Sequence, residues 1–90
     1  MCRNIRTLHN FAPAATDEEI RASAIQFVRK VSGFNRPSKL NEAAFELAIE
    51  RVSSATHDLL HALVTHAPPR DRGVEAAKAR RRSELRFARN

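Results

Sequence analysis

Residues 16–33 read Thr-Asp-Glu-Glu-Ile-Arg-Ala-Ser-Ala-Ile-Gln-Phe-Val-Arg-Lys-Val-Ser-Gly, and this stretch decides the fold class. It opens on a capping box. The Thr16 hydroxyl is placed to accept from the backbone N–H of Glu19, and the Glu19 carboxylate to reach back to the N–H of Thr16. Asp17, Glu18 and Glu19 put three acids at the positive end of the helix dipole. Ile20, Ala24, Phe27, Val28 and Val31 then recur at the spacing of one helical face. Arg29 and Lys30 suit the negative pole at the far end, and Gly33 can take the left-handed angles of a C-terminal cap. The stretch predicts a helix over 17–32.

Working outward toward the C-terminus, Phe34-Asn35-Arg36-Pro37-Ser38 reads as a loop, because Pro37 turns Arg36 away from helical angles. Ser38 or Asn41 is placed to cap the next helix. Phe45, Ala48, Ile49, Val52, Thr56, Leu59, Leu60 and Leu63 hold a helical stripe over about residues 40–65, roughly 37 Å of helix. The opposite face carries Glu42, Glu46, Glu50, Arg51, His57, Asp58 and His61, a set that reads as solvated. Ala67-Pro68-Pro69 ends this helix, and Asp71 can cap a last one running toward residue 88. There Val74, Ala77, Leu85 and Ala88 share a face that Lys78 and Arg81 interrupt, so weak burial is expected. Toward the N-terminus, Ile5, Leu8 and Phe11 stand three apart over residues 2–11, as in one or two helical turns, before Pro13 breaks the pattern.

These segments predict an all-α domain with no β-sheet: a short N-terminal helix, an antiparallel helical hairpin and a basic C-terminal helix. Phe27, Phe45, Ile49 and Val52 are its expected core, with Phe27 meeting Phe45 and with Ile5, Leu8 and Phe11 closing one side. Residues 1–90 form a single domain, 1–69 as the core and 70–90 as the basic helix.

The chain's charge is concentrated at one end. Of the net charge of +6, residues 70–90 carry +5 through Arg70, Arg72, Lys78, Arg80, Arg81, Arg82, Arg86 and Arg89 against Asp71, Glu75 and Glu84. Localised positive charge draws polyanions, and the planar guanidinium fork suits phosphate. No zinc-finger or other base-reading motif accompanies the cluster, which points to sequence-independent contact. Leu85 and Phe87 fall on different faces, which leaves no apolar stripe to lie in a membrane. The single cysteine, Cys2, excludes an internal disulfide and a multi-cysteine zinc site, and a lone thiol suits a reducing compartment. The opening Met-Cys-Arg-Asn-Ile-Arg-Thr-Leu-His-Asn has no apolar run of signal-peptide length, so a cytoplasmic protein is expected.

Four stretches together carry a resemblance: Met-Cys-Arg-Asn-Ile at 1–5, Thr-Asp-Glu-Glu-Ile at 16–20, Phe-Val-Arg-Lys-Val-Ser-Gly-Phe at 27–34 and Ala-Pro-Pro-Arg-Asp at 67–71. They resemble a family of short bacterial proteins that open on Met-Cys-Arg-Asn-Ile and are catalogued as a domain of unknown function. The resemblance implies a bacterial source and one domain, and it supplies no activity, cofactor or catalytic residue. In organisation the chain is also similar to the J-domain of chaperone partners, whose loop between two helices carries His-Pro-Asp. Here that loop reads Gly33-Phe34-Asn35-Arg36-Pro37-Ser38. The likeness implies a hairpin that docks a protein.

Three other groups could carry chemistry. His57-Asp58-Leu59-Leu60-His61 places two imidazoles one helical turn apart, the spacing by which zincins hold a metal, with Asp where those enzymes have Glu and His66 as a distant third ligand. Two polar residues on an outer face are the commoner meaning of such a pair. Removal of Met1 would leave the Cys2 amine as base for its own thiol, with Arg3 and Arg6 lowering the thiol's pKa. Enzymes of that kind are built on a two-sheet sandwich and an oxyanion hole, neither of which this sequence offers. Phe34 beside Arg36 could stack on a base, though the hydrophobic contact that accompanies a glycine cap is its ordinary role. The sequence thus favours a non-catalytic interaction module without cofactor for an acidic partner, nucleic acid first. A protein-docking hairpin and a Cys2-dependent enzyme or redox protein are the alternatives.

Overall fold

The computed structural model describes residues 5–88, and most of them are helical. The elements are β1 (Phe11–Ala12), α1 (Asp17–Ser32), α2 (Glu42–Ala62), β2 (Arg70–Asp71) and α3 (Arg72–Ala88), with one 3-10 turn at Lys39–Asn41 leading into α2. The Thr16 capping box forms as its sequence dictates. Glu19 N–H donates to Thr16 Oγ1 at 3.2 Å and Thr16 N–H to Glu19 Oε1 at 3.0 Å. Gly33 closes α1 in the left-handed region at φ 79°, its N–H on the Arg29 carbonyl at 2.9 Å. At the start of α2 neither expected cap bonds the backbone: the Asn41 amide instead donates to Ser38 Oγ at 3.1 Å. Asp71 does cap α3, accepting from the Val74 N–H at 2.9 Å.

The core is a narrow seam between α1 and α2. Ala24, Val28 and Ile49 are buried, with Ile25, Phe45, Ala48 and Val52 packed around them, and Ile20 is buried nearer the start of α1. Contacts pair the first turn of α1 with the last turns of α2, where Asp17 Oδ1 stands 4.0 Å from His57 Nε2. Farther along α1, Val28 packs beside Phe45 early in α2. Phe27, expected in the core, is 46% exposed. Ile20, Ala24 and Val28 repeat every four residues, whereas Phe27 lies about 100° around the helix from Val28. A single partner helix covers one stripe, and among the described residues no third layer reaches Phe27 or Val31.

Two further expectations are corrected. Residues 5–10 are not helical: they run through a turn at His9–Asn10 into β1. Asn10 takes the left-handed backbone at φ 62°, which Asn tolerates better than most residues, and this ends any helical run. Its side-chain amide donates to the carbonyls of Pro68 at 3.2 Å and Ala67 at 3.4 Å, and its own carbonyl accepts from Arg70 N–H at 2.8 Å. The all-α expectation therefore fails in one small respect. β1 and β2 pair in parallel, Phe11 opposite Arg70 and Ala12 opposite Asp71. Backbone groups that a helix would satisfy internally find partners across the chain instead.

α3 is weakly buried, as its interrupted stripe predicts, and the side that faces in is polar. Arg72, Glu75 and Ser83 are its half-buried positions, whereas Val74 and Leu85 are more than half exposed. The helix is seated by its polar side and turns its thin apolar stripe outward. The radius of gyration is 16.2 Å, well above the roughly 12 Å of a compact chain of this length. No helix among the described residues is long and apolar enough to cross a membrane.

Candidate nucleic-acid interface

The eight cations singled out by charge density have different fates. Arg72, the first residue of α3, is spent on structure. Its Nη1 and Nη2 donate to the two Glu19 carboxylate oxygens at 2.8 and 2.9 Å, and its Nε donates to the Pro13 carbonyl at 2.7 Å. This two-pronged contact uses the shape of the guanidinium as well as its charge. Glu19 thus serves two helices: it completes the N-terminal box of α1 and anchors the first turn of α3. The Arg72 guanidinium, helped by the Thr16 N–H, draws the Glu19 carboxyl from 4.5 down to about 2, and Glu19 raises Arg72 in return.

Arg70 and Lys78 are partly committed. The Arg70 guanidinium carbon lies 5.3 Å from the centre of the Phe11 ring, and that of Arg72 lies 6.0 Å from it, both within cation–π range. Lys78 Nζ stands 3.7 Å from Glu75 Oε1, one turn back along α3. Arg80, Arg81, Arg82 and Arg86 have no carboxylate within 4.0 Å among the described residues and are exposed. Arg89 lies outside the described residues.

Helix geometry sorts the uncompensated set. Consecutive residues are about 100° apart, so Arg80, Arg81 and Arg82 spread over about 200° and cannot all meet one surface. Arg82 and Arg86, four apart, lie side by side. Arg82 also faces an open cleft of about 460 Å³ between α3 and the N-terminal segment, shared with Arg6, Phe11 and Arg70 and with the Glu19, Arg72 and Glu75 side chains. Charge density alone did not single out Arg6, Phe11 or Glu19. A signal for Glu19 was present, since a capping carboxylate has a second oxygen to offer. Nothing in the spacing ties it to Arg72, 53 residues later.

The remaining candidates fall elsewhere. His57 and His61 are exposed, as expected, but their ring centres are 4.3 Å apart and both line a smaller pocket of about 180 Å³ with His9, Asn10 and Phe11. His57 Nδ1 is 3.7 Å from Asp58 Oδ1. Among the described residues, no three His, Cys, Asp or Glu side chains stand where they could hold a metal ion together. Cys2 and Arg3 lie outside the described residues. Phe34 and Arg36 come after the α1 cap, and Phe34 lines an apolar groove between α1 and α2 instead of facing the cations.

Comparison with known families adds one match. The model of an uncharacterized conserved protein family, DUF2277, matches residues 1–78, and the chain belongs to that family. The match spans the Glu19–Arg72 clasp and Lys78 and stops short of the Arg80–Arg82 run. No curated protein and no solved structure matches the chain.

Proposed function

We propose that this DUF2277 member is a non-catalytic cytoplasmic module that binds a polyanion, nucleic acid first, through the distal half of α3. In this reading α1 and α2 form an antiparallel hairpin, and residues 70–90 are a basic arm carried by the 1–69 core. The observation that supports it is the division of charge within one helix. Near its start, Arg72 and Lys78 have carboxylates to neutralise them, whereas Arg80, Arg81, Arg82 and Arg86 have none within 4.0 Å among the described residues. Uncompensated like charges on an exposed helix repel one another, and a row of phosphates relieves that repulsion while releasing its own counterions. The contacts are phosphate contacts, and they carry no base sequence.

The distribution of the arginines sets the size of the effect. A duplex laid along α3 meets Arg82 and Arg86 together with about one more cation, so log K against log salt should fall with a slope of about −3. Fluorescence anisotropy with labelled duplex DNA and structured RNA across several salt concentrations measures this slope. Arg82→Ala with Arg86→Ala should flatten it by about two units, and Lys78→Ala by less than one. Binding no tighter than about 0.1 mM at low salt, below ordinary non-specific affinity, overturns the reading. So does a Lys78→Ala loss as large as that of the arginine pair.

A further inference from the structure

Between α1 and α2 lies an open groove of about 390 Å³ whose described lining includes no residue of α3. Phe27, Val31 and Phe34 form one wall, and Ala44, Ala48 and Val52 the other. Its chemistry is apolar, and its first wall is badly covered. Val31 is 71% exposed and Phe34 55%, and few large side chains are buried among the described residues. Single exposed apolar residues are ordinary, but three that share one groove mark a contact surface.

The charges around the groove identify the occupant. On α1, Lys30 lies about 60° beyond Phe27 and flanks the first wall. On α2, Arg51 lies about 60° beyond Ala48 and flanks the second. Arg36 and Lys39 belong to the connection between Phe34 and Asn41 that closes one end. The carboxylates of this stretch are elsewhere: Glu42, Glu46 and Glu50 fall about 120–200° around α2 from Ala48, and Glu46 is held by Arg21 at 3.2 Å. The groove is therefore apolar at its floor and positive along both edges. A second copy of this chain is a poor occupant. Face-to-face pairing would set Lys30 and Arg51 against their equivalents, and the outward stripe of α3, Val74 with Leu85, is itself flanked by Lys78 and Arg81.

We propose that this groove docks an amphipathic helix of a partner protein, apolar on one face and bordered by Asp and Glu on both sides. From Asn41 to Val52 the groove is about three helical turns long, enough for an occupant of roughly 11 residues presenting apolar side chains at i, i+3 or i+4, and i+7. Apolar burial supplies the attraction, and the basic edges select the partner.

The probe is a synthetic amphipathic peptide of about 15 residues with leucines on one face and glutamates on both flanks. Its counterpart keeps the leucines and replaces the glutamates with lysines. Anisotropy with the full chain should find the acidic peptide bound at least about tenfold tighter. Val31→Glu should weaken that binding by about tenfold or more with an unchanged circular dichroism spectrum. Lys30→Glu with Arg51→Glu should abolish or reverse the preference between the peptides, and this charge reversal carries the test should Val31→Glu unfold the chain. Arg82→Ala with Arg86→Ala should leave peptide binding intact, because the groove and α3 are separate surfaces. Equal affinity for the two peptides overturns the proposal. Loss of binding in the Arg82 and Arg86 variant does the same, by placing the acidic peptide on α3. Sedimentation equilibrium showing a dimer that Val31→Glu dissolves would assign the groove to a second copy and also overturn it.

Discussion

The α1–α2 seam and the seat of α3 hold similar lengths of helix by opposite means. In the seam, Ala24, Val28 and Ile49 exclude water, and the attraction is non-directional and indifferent to pH. At the seat, α3 is held by few contacts, most of them polar: the Arg72–Glu19 clasp, the short β1–β2 pairing, the Asn10 amide and the Arg70 stack on Phe11. These hold only in one geometry, and the clasp holds only while Glu19 is ionised. One region therefore answers to changes in volume, and the other to changes in charge. A helix needs no apolar face to be positioned, but without one it is positioned at a point instead of along its length.

The largest expected effect tests the seam. Ile49 is 3% exposed at its centre, and Ile49→Ala should cost about 2–5 kcal/mol, a large share of the stability of a chain this size. The urea midpoint measures it. A shift below about 1 kcal/mol would mean that the seam is not what holds α1 to α2.

Acid should break the seat before the seam. The Glu19 carboxyl is depressed in the folded chain, from 4.5 to about 2. Its contribution is therefore complete above pH 4.5 and is lost as the pH falls toward 2. Over that range the amides of α3 should lose hydrogen-exchange protection while those of Ile20–Val28 and Phe45–Thr56 keep theirs. Glu19→Gln should flatten the pH dependence. Simultaneous loss in all three helices would show that the two regions are a single cooperative unit.

A smaller effect marks the edge of the seam. Phe27 is half exposed, so Phe27→Ala should cost about 1–1.5 kcal/mol, well under the ~3–5 kcal/mol of a fully buried phenylalanine. Phe45, partly buried against Val28 and Ile49, should cost more than Phe27 in the same urea series. Equal costs would place both rings in the core and remove one wall of the groove.

The smallest effect has the opposite sign. Ser53 Oγ is buried with no hydrogen-bond partner among the described residues. Ser53→Ala removes that unpaired oxygen and improves helix propensity, so it should leave stability unchanged or raise it by up to about 1 kcal/mol. A loss of stability would mean that the hydroxyl has a bonding partner in solution.

The sequence by itself determined what is local. The capping box at Thr16, the glycine end at Gly33, the Asp71 cap and the 3.6-residue stripes are each encoded within a few positions, and each appears where the residues put it. The charge map was equally legible, because charge is a property of composition. The burial of Phe27 was not, since a stripe gives the direction of a face but not the width of what covers it. Nor was the shape of residues 5–12, where three-residue spacing mimics a helix and the real partners of the backbone lie almost 60 residues away. Only the tertiary structure decided which cations are spent and which are left over. Arg72 and Arg82 line the same cleft, and they differ because Glu19 stands 2.8 Å from one while, among the described residues, no carboxylate comes within 4.0 Å of the other. Pairing across such distances depends on where whole helices come to rest, and no window of local sequence contains that information.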